Sequence, residues 1–445
     1  MKTPIYDFVK EYIEREPSRF HMPGHKGKSF LGCESLDITE ISGADALYSA
    51  DGIIEESENN ATRLFGSAHT FYSAEGATLP IKAMLALAVS GKEKCERPVV
   101  IAARNAHKSF IYACALLDID VIWIYSSEAE HLCSARISAE DVENALCKNE
   151  NPAAVYLTSP DYLGNIADVK GIADVCRAYN VSLLVDNAHG AYLRFLSPSQ
   201  HPISLGADMC CDSAHKTLPA LTGGAYLHIS KNTNAEYLSS ARNMLSVFAS
   251  TSPSYLILES LDLCNKYLSE DYAERLSATA KKINRLKSRL ADAGFEISES
   301  EPLKLVIKIS RFGYTGYEAA EILRNKNIEI EFFDGEYTVF MITPENTDED
   351  FERLETALLT LEKKKALEEN FTPVVRGVRR TSIREAVFSK KETVPIDCAI
   401  GRISASPTVS CPPAIPIAVS GEVITEEAVN LFKKYGIREV EVVKD

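Results

Sequence analysis

Long apolar runs are missing from these 445 residues. None approaches the ~18 to 20 residues that a bilayer-spanning helix needs. Positive charge is in deficit as well, with 48 Lys and Arg against 63 Asp and Glu and a formal net charge of −15. Nucleic acid and anionic membrane surfaces are thereby disfavoured as partners, since either would be approached against like charge. Cysteines number 11, an odd count, and no CxxC pair occurs among them. That pattern speaks against a disulfide framework or a zinc site and for scattered reduced thiols, so no metal is expected. Adjacent Cys210 and Cys211 read as strand residues pointing to opposite faces. The single tryptophan, Trp123, reads as core. The opening "MKTPIYDFVKEYIEREPSRF" is too charged for a secretory signal, and a cytoplasmic location is the expectation.

What is there is an ordinary globular composition, 45% hydrophobic and 25% charged, long enough for two or three domains. Between residues 98 and 230, apolar runs alternate with segments of helical period. "PVVIAA", "DVIWIY", "AAVYLT", "VSLLVD", "ADMCCD" and "GAYLHI" read as strands buried on both faces. The intervening "HKSFIYACALLD", "SAEDVENALCK" and "VKGIADVCRAYN" have helical spacing, the second opening with a capping box from Ser138 to Asp141. An α/β sheet, parallel for the most part, is the natural result. Long amphipathic helices follow, then a small α+β segment with strands at "LKLVIKIS", "IEIEFFD" and "YTVFMIT" and a lysine-rich helix "DFERLETALLTLEKKKALEEN". The Pro-rich "SASPTVSCPPAIPIAVSGE" is apolar enough to pack as an ordered segment.

Ligands of open α/β sheets bind beyond the carboxyl ends of the strands, and here those ends are unusually polar. The first strand is followed by His107 and the third by Ser159, Asp161 and Asn165. The fourth ends in "DNAHG" with Asp186 and His189, and the fifth in "DSAHK" with Ser213, His215 and Lys216. Upstream, "SAEGATLPIKAMLALA" sets a glycine turn before a helix, where free N–H groups can hold a phosphate. Pyridoxal phosphate needs all of these at once: a lysine to carry its aldehyde as an imine, a carboxylate for its pyridine nitrogen, a planar group over its ring and a phosphate cradle. The assignments are Lys216, Asp186 and His107 for the first three, with Gly76, Ala77, Thr78, Ser213 and His215 around the phosphate. Ser159 and His189 complete the cofactor-binding set. Taken singly, a strand-end Asp is a cap, a His a satisfied side chain and a Lys a solvated one. Their order along the chain is what argues for the cofactor.

That order resembles the Orn/Lys/Arg decarboxylase family, group III of the pyridoxal-phosphate decarboxylases, built on the aspartate-aminotransferase (type I) fold. The likeness runs through "RFHMPGHKG", "GADALYSADGIIEESENNATRLFG", "LTSPDYLGNIADVKGIADVC", "DSAHKTLPALT", "STSPSYLILESLD" and "GRISASPTVSCPPAIPIAVSGE". It implies an N-terminal arm over residues 1–50, a large cofactor-binding domain over 51–285, a small α+β domain over 286–370 and a C-terminal decarboxylase-type domain over 371–445. It also implies that Thr251 and Ser252 reach the cofactor of a partner subunit in a homodimer or higher homo-oligomer with shared active sites.

This sequence departs from the family pattern in places. Glu75, Gly76, Ala77 and Thr78 stand at a phosphate turn usually written "NG[ST][ST]". Asn187 and Tyr192 replace the Glu and second His of "DEAHGAH", and Cys411 to Ala414 replace "YPPG". A carboxylate beside a phosphate is unfavourable, so Glu75 is expected to point away. The implied activity is decarboxylation of a basic amino acid, arginine or lysine before ornithine, with Lys216, Asp186 and His215 as the catalytic residues and His215 or Lys216 returning a proton to Cα. Glu422 and Asp45 are candidates for the substrate's cationic end. Two other readings stand beside it. One is an aminotransferase or lyase on the same fold, with Arg379, Arg380, Arg384 or Arg402 holding a carboxylate. The other is a non-catalytic paralogue. His21 and His25 lack a third ligand for a metal and read as part of an arm near the active site.

Overall fold

The structure is a computed structural model that describes residues 1–90, 97–126, 131–368, 375–409 and 414–444. It falls into two compact units, Met1–Lys92 with Val169–Glu274 and Glu93–Asp168 with Arg275–Asp445. The strands of the α/β part are β1 (His69–Ser73), β2 (Val99–Ala103), β3 (Asp120–Ile124), β4 (Ala154–Thr158), β5 (Ser182–Asp186), β6 (Met209–Asp212) and β7 (Ala225–Ile229). Within the first unit their order is β1-β7-β6-β5, and within the second β4-β2-β3.

In the first unit β5 and β6 are parallel, whereas β7 runs antiparallel to both β6 and β1. All residues of β6 and β7 are buried, as their mostly apolar runs require, Asp212 and His228 among them. β1 is not apparent in the sequence, because "HTFYS" is half polar. Its Thr70 pairs opposite His228, and their side chains hydrogen-bond at 2.8 Å. The helix Pro4–Glu14 is anchored at its start by Asp262, whose Oδ2 accepts the N–H groups of Ile5 and Tyr6 at 2.9 and 3.1 Å.

In the second unit β2 pairs parallel with β3 and β4. β3 ends that run and is only partly buried, so the expectation of burial on both faces fails there for an edge position. Trp123 on β3 is accordingly half-buried, with the Arg104 guanidinium 5.3 Å above its ring. The capping box of Ser138 and Asp141 is present on the helix Ala139–Lys148.

The small sheet, β8 (Ile297–Ser298), β9 (Lys304–Ile307), β10 (Phe332–Phe333) and β11 (Thr338–Met341), has the order β10-β11-β9-β8. The helix expected to run through the lysine-rich segment stops at Leu359. Beyond it, the N–H groups of Lys364 and Leu367 turn to the carbonyls of Phe312 and Ser310, an alternative to continuing the helix.

The C-terminal part adds β12 (Lys391–Pro395), β13 (Thr408–Val409), β14 (Pro416–Ala418) and β15 (Glu439–Val443), paired β12 with β15 and β13 with β14. Ile415, Ile417 and Ala418 of the Pro-rich stretch are buried in one cluster with Val429, Phe432 and Val442. Cys411, Pro412 and Pro413 lie outside the described residues. Ala414 holds φ +58°, a left-handed conformation that suits glycine, and its carbonyl accepts the N–H of Lys108 at 3.0 Å.

Candidate active site

Most of the candidate residues belong to the first unit, where Asp186, His189, Ser213, His215 and Lys216 lie at or after the carboxyl ends of β5 and β6. The Lys216 amine lies 3.1 Å from Nε2 of His189. Lys216 sits in a single helical turn, Ala214–Thr217, that begins directly after Ser213 at the end of β6. Asp186, the last residue of β5, is buried, and its Oδ1 accepts the N–H of Ala188 at 3.2 Å and the thiol of Cys211 at 3.7 Å. Burial, and after it the charge of Asp186, push the Cys211 thiol well above its ordinary range, so it stays protonated and donates. The sequence pair thus divides by strand alternation. Cys211 faces Asp186, while Cys210 faces His201 with Sγ 3.9 Å from Nε2.

His215 gives its Nδ1 proton to the Gly224 carbonyl at 2.9 Å, leaving Nε2 as an acceptor in the neutral ring. Burial, only partly countered by that bond and reinforced by Lys216, lowers its pKa. A contact from Nε2 to a phosphate would need the protonated ring.

The glycine turn expected to hold a phosphate is tied to the residue before Gly224. Gly76 N–H donates to the Gly223 carbonyl at 2.7 Å, and Gly223 at φ +101° lets Ala74 approach so closely that a Cβ there would lie 3.0 Å from the Ala74 oxygen. The "TGG" before β7 was the available sequence signal for this contact. A Cβ built on Gly76 meets nothing within 4 Å, so the turn fronts open space, and no side chain of Ala77 caps the helix Thr78–Val89. Glu75 does turn away: its Oε1 accepts the N–H of Ser250 at 2.7 Å, tying the "STSPS" segment to this turn in the same chain. Thr251 and Ser252 beside it are exposed.

His107 and Ser159 belong to the second unit. His107 caps the helix Lys108–Leu117, its Nδ1 accepting the N–H of Ser109 at 3.2 Å, which leaves the ring proton on Nε2. Ser159, buried after β4, accepts the N–H of Ala167 at 3.1 Å.

Both candidates for the substrate's cationic end have structural duties instead. Asp45 accepts the N–H groups of Gly52, Ile54 and Glu55 and so caps the helix Ile53–Phe65. Glu422 is buried in an ion pair with Arg104 at 3.4 Å and accepts the Val419 N–H at 2.8 Å. Arg379 pairs with Asp120, Arg384 donates to the carbonyls of Ala115 and Leu116, and Arg402 binds Glu392 and the Val443 carbonyl. His21 bonds Tyr12 and His25 bonds Asp37, so the two rings do not share a partner.

A buried polar cluster, unforeseen in the sequence, lies behind these loops. Asp212, which ends β6, accepts from His201 and His228 at 3.0 Å each through Oδ2, and from the Asn187 amide at 2.6 Å through Oδ1. Burial pushes the Asp212 carboxyl up, but attraction to His201 and then His228 outweighs it and holds the group far below its ordinary value. Side-chain atoms of His201, Cys210, Asp212 and His228 lie within 4.8 Å of one another, close enough for a metal. Their protons argue otherwise. The Ile203 N–H points at His201 Nδ1 at 3.4 Å, so the ring proton sits on Nε2 and is given to Asp212.

Residues 3–298 match the major domain of the Orn/Lys/Arg decarboxylases, and residues 360–435 match the C-terminal domain of that family. This chain belongs to the Orn/Lys/Arg decarboxylases. It is 30% identical to arginine decarboxylase of Bacillus subtilis over 97% of this chain and 93% of that one. With arginine decarboxylase of Halalkalibacterium halodurans the identity is 31%, over 96% and 91%. The crystal structure of Francisella novicida lysine decarboxylase superposes with a TM-score of 0.84 over 99% of this chain and 81% of that one, at 16% identity. That likeness establishes the type I fold with its mostly parallel sheet. As a member of the family the chain is a pyridoxal-phosphate-dependent amino-acid decarboxylase for basic amino acids. Its residues fit the cofactor: a glycine turn facing open space, a buried carboxylate at a strand end, and an amine on the next strand's loop.

Proposed function

We propose that this decarboxylase converts arginine to agmatine and carbon dioxide, with lysine the second substrate to consider and ornithine the third. The observation that carries the site assignment is Lys216 on the loop beside Asp186, its amine 3.1 Å from an imidazole acceptor. Support for arginine comes from the two arginine decarboxylases similar to this chain over nearly its full length.

Lys216 is the covalent anchor, and it must shed a proton before its nitrogen is nucleophilic. His189 Nε2 stands at hydrogen-bond distance to receive that proton. Asp186 would keep the cofactor's ring nitrogen protonated, its own charge held in a buried site by the Ala188 N–H and the Cys211 thiol. Ala77 and Thr78 would offer the phosphate their backbone at the helix start, with Ser213 beside it, while Gly76, its N–H given to the Gly223 carbonyl, would shape the turn and leave room for the phosphate. The family resemblance gives His107 the role of the planar group over the ring, and within its own unit its Nδ1 serves as a helix cap. Pyridoxal 5′-phosphate supplies the sink for the electron pair left when carbon dioxide departs. Lys216, having regained its proton from His189, would deliver it to Cα as an ammonium, and His215 in its neutral form offers only an acceptor, Nε2, beside it. Little is expected to hold the departing carboxylate, because stabilising its charge favours the ground state.

A second copy would contribute Thr251 and Ser252 to the site. The near-complete exposure of Phe20 (96%) and Leu31 (91%) in the single chain supports an arm that a partner covers. Purified enzyme with pyridoxal phosphate is to be incubated with arginine, lysine and ornithine separately, and the product amines quantified. Agmatine as the dominant product is expected. Cadaverine as the dominant product would reassign the substrate, and no amine from any of the three would overturn the reading.

A further inference from the structure

Asn187 and Asp212 are the neighbours, in sequence, of the two strand ends that carry the chemistry. Asn187 follows Asp186, and Asp212 precedes Ser213 and the turn of Lys216. Their side chains meet at 2.6 Å, amide donor to carboxylate acceptor, with both residues fully buried. The main chain reinforces this bond, the Asn187 N–H donating to the Cys211 carbonyl at 2.9 Å and the Gly190 N–H to the Asn187 carbonyl at 2.8 Å. Gly190 has no room for a Cβ, which would collide with Asn187 Oδ1. Asp212 is itself immobilised by His201 and His228 on its other oxygen. His228 is held in turn by Thr70, and Thr70 by Ser67, each at 2.8 Å.

From this geometry we infer that Asn187 and Asp212 are positioning residues, a matched amide–carboxylate pair that sets the separation of Asp186 from Lys216. The inference rests on the roles given to those two residues above. The pair is polarity-specific. An ionised carboxylate only accepts, so it must meet a donor, and the Glu found at position 187 in the family pattern would oppose Asp212 charge to charge. Asn187 is therefore the departure that Asp212 requires. A buried bond of this kind holds its groups in one geometry, and misplacement of reacting groups by about 1 Å can cost about 10²-fold in rate.

A swap tests this. Asn187→Asp puts two carboxylates face to face, and Asp212→Asn removes the charged acceptor. In the double variant the amide introduced at position 212 accepts from the histidines and donates to the carboxylate introduced at position 187, which restores one bond of reversed polarity. The readouts are kcat and KM for the preferred amino acid, the pH dependence of the absorbance band of lysine-bound cofactor, cofactor affinity and melting temperature. Each single variant is expected to lower kcat by about 10-fold or more with KM changed less, and to shift the pH dependence of the band. The double variant should recover kcat to within about 3-fold and restore the band. A double variant no better than the worse single, or an Asn187→Asp enzyme with unchanged kcat and band, overturns the pairing. Should Asn187→Asp fail to fold, Asn187→Ser removes the amide donor without adding charge, and its unchanged kcat and band would overturn the pairing equally. Lys216→Ala and Asp186→Ala keep the two ideas apart. If these retain the band and turnover, the site assignment fails. If they lose both while the swap shows no coupling, only the pairing fails.

Discussion

The amine of Lys216 stands 3.1 Å from Nε2 of His189, an imidazole carried by the loop that begins at Asp186. An ammonium has only donors, so this His nitrogen is the acceptor, and the pair has the geometry of a nucleophile with its base. Lys216→Ala is expected to abolish amine formation. His189→Gln is expected to keep the anchor but slow turnover by about 10²-fold. Product-amine kinetics, together with the rate at which apo-enzyme captures the cofactor, check both. Full activity in His189→Gln would remove His189 from proton handling.

Glu422 serves Arg104 and not the substrate. Glu422→Ala would leave the Arg104 guanidinium buried without its partner, and a loss of about 3 kcal/mol in unfolding free energy is expected. Bonds from Arg104 to the carbonyls of Pro416 and Ile417, at 2.8 and 3.1 Å, keep the loss near the low end of such cases. Urea unfolding measures it. A many-fold rise in KM with stability unchanged would return Glu422 to the substrate.

Two carboxyls on the helix Tyr255–Leu268 make stability depend on pH. Burial, then the charges of Asp37 and Asp262, push Glu259 up to about 8. Burial pushes Asp262 up to about 6 against the Ser57 hydroxyl and the N–H groups of Tyr6 and Ile5. Both folded values exceed those of an unfolded chain, roughly 4. The folded state therefore holds protons that the unfolded chain releases. Their stabilising contribution is complete below about pH 4 and lost as pH rises through 6 and then 8. Melting temperatures from pH 5 to 9 should fall from this source, and Glu259→Gln should flatten the upper part of the fall. An unaltered profile in that variant would rule out Glu259 as its origin.

The cluster around Asp212 is a hydrogen-bonded set, so chelation should leave the melting temperature where it was. Metal analysis of chelator-treated and untreated protein, with differential scanning calorimetry of both, checks this. One equivalent of tightly held zinc, with a lower melting temperature after its removal, would show that His201 adopts the other tautomer.

Much of this was legible before any coordinates. Largely apolar runs marked β2 to β7, because strands buried on both faces have few polar positions. The order along the chain also placed Asp186 and Lys216 at or just after the ends of successive strands, which is where the structure has them. β1 escaped because Thr70 and Ser73 interrupt its apolar pattern, and a buried polar side chain is recognised only through its partner. The "EVEVV" of β15 did carry a period-2 signal that went unread.

What the sequence by itself determined is the chemistry available: a glycine turn before a helix, then a carboxylate and a lysine at strand ends, in the order of one family. What only the tertiary structure decided is which carboxylates are spent. Asp45 caps a helix, Glu422 neutralises Arg104, Glu75 holds Ser250, and Asp212 gathers His201, His228 and Asn187. A carboxylate's role depends on the donors within about 3 Å of it, and those donors come from segments far away in the chain.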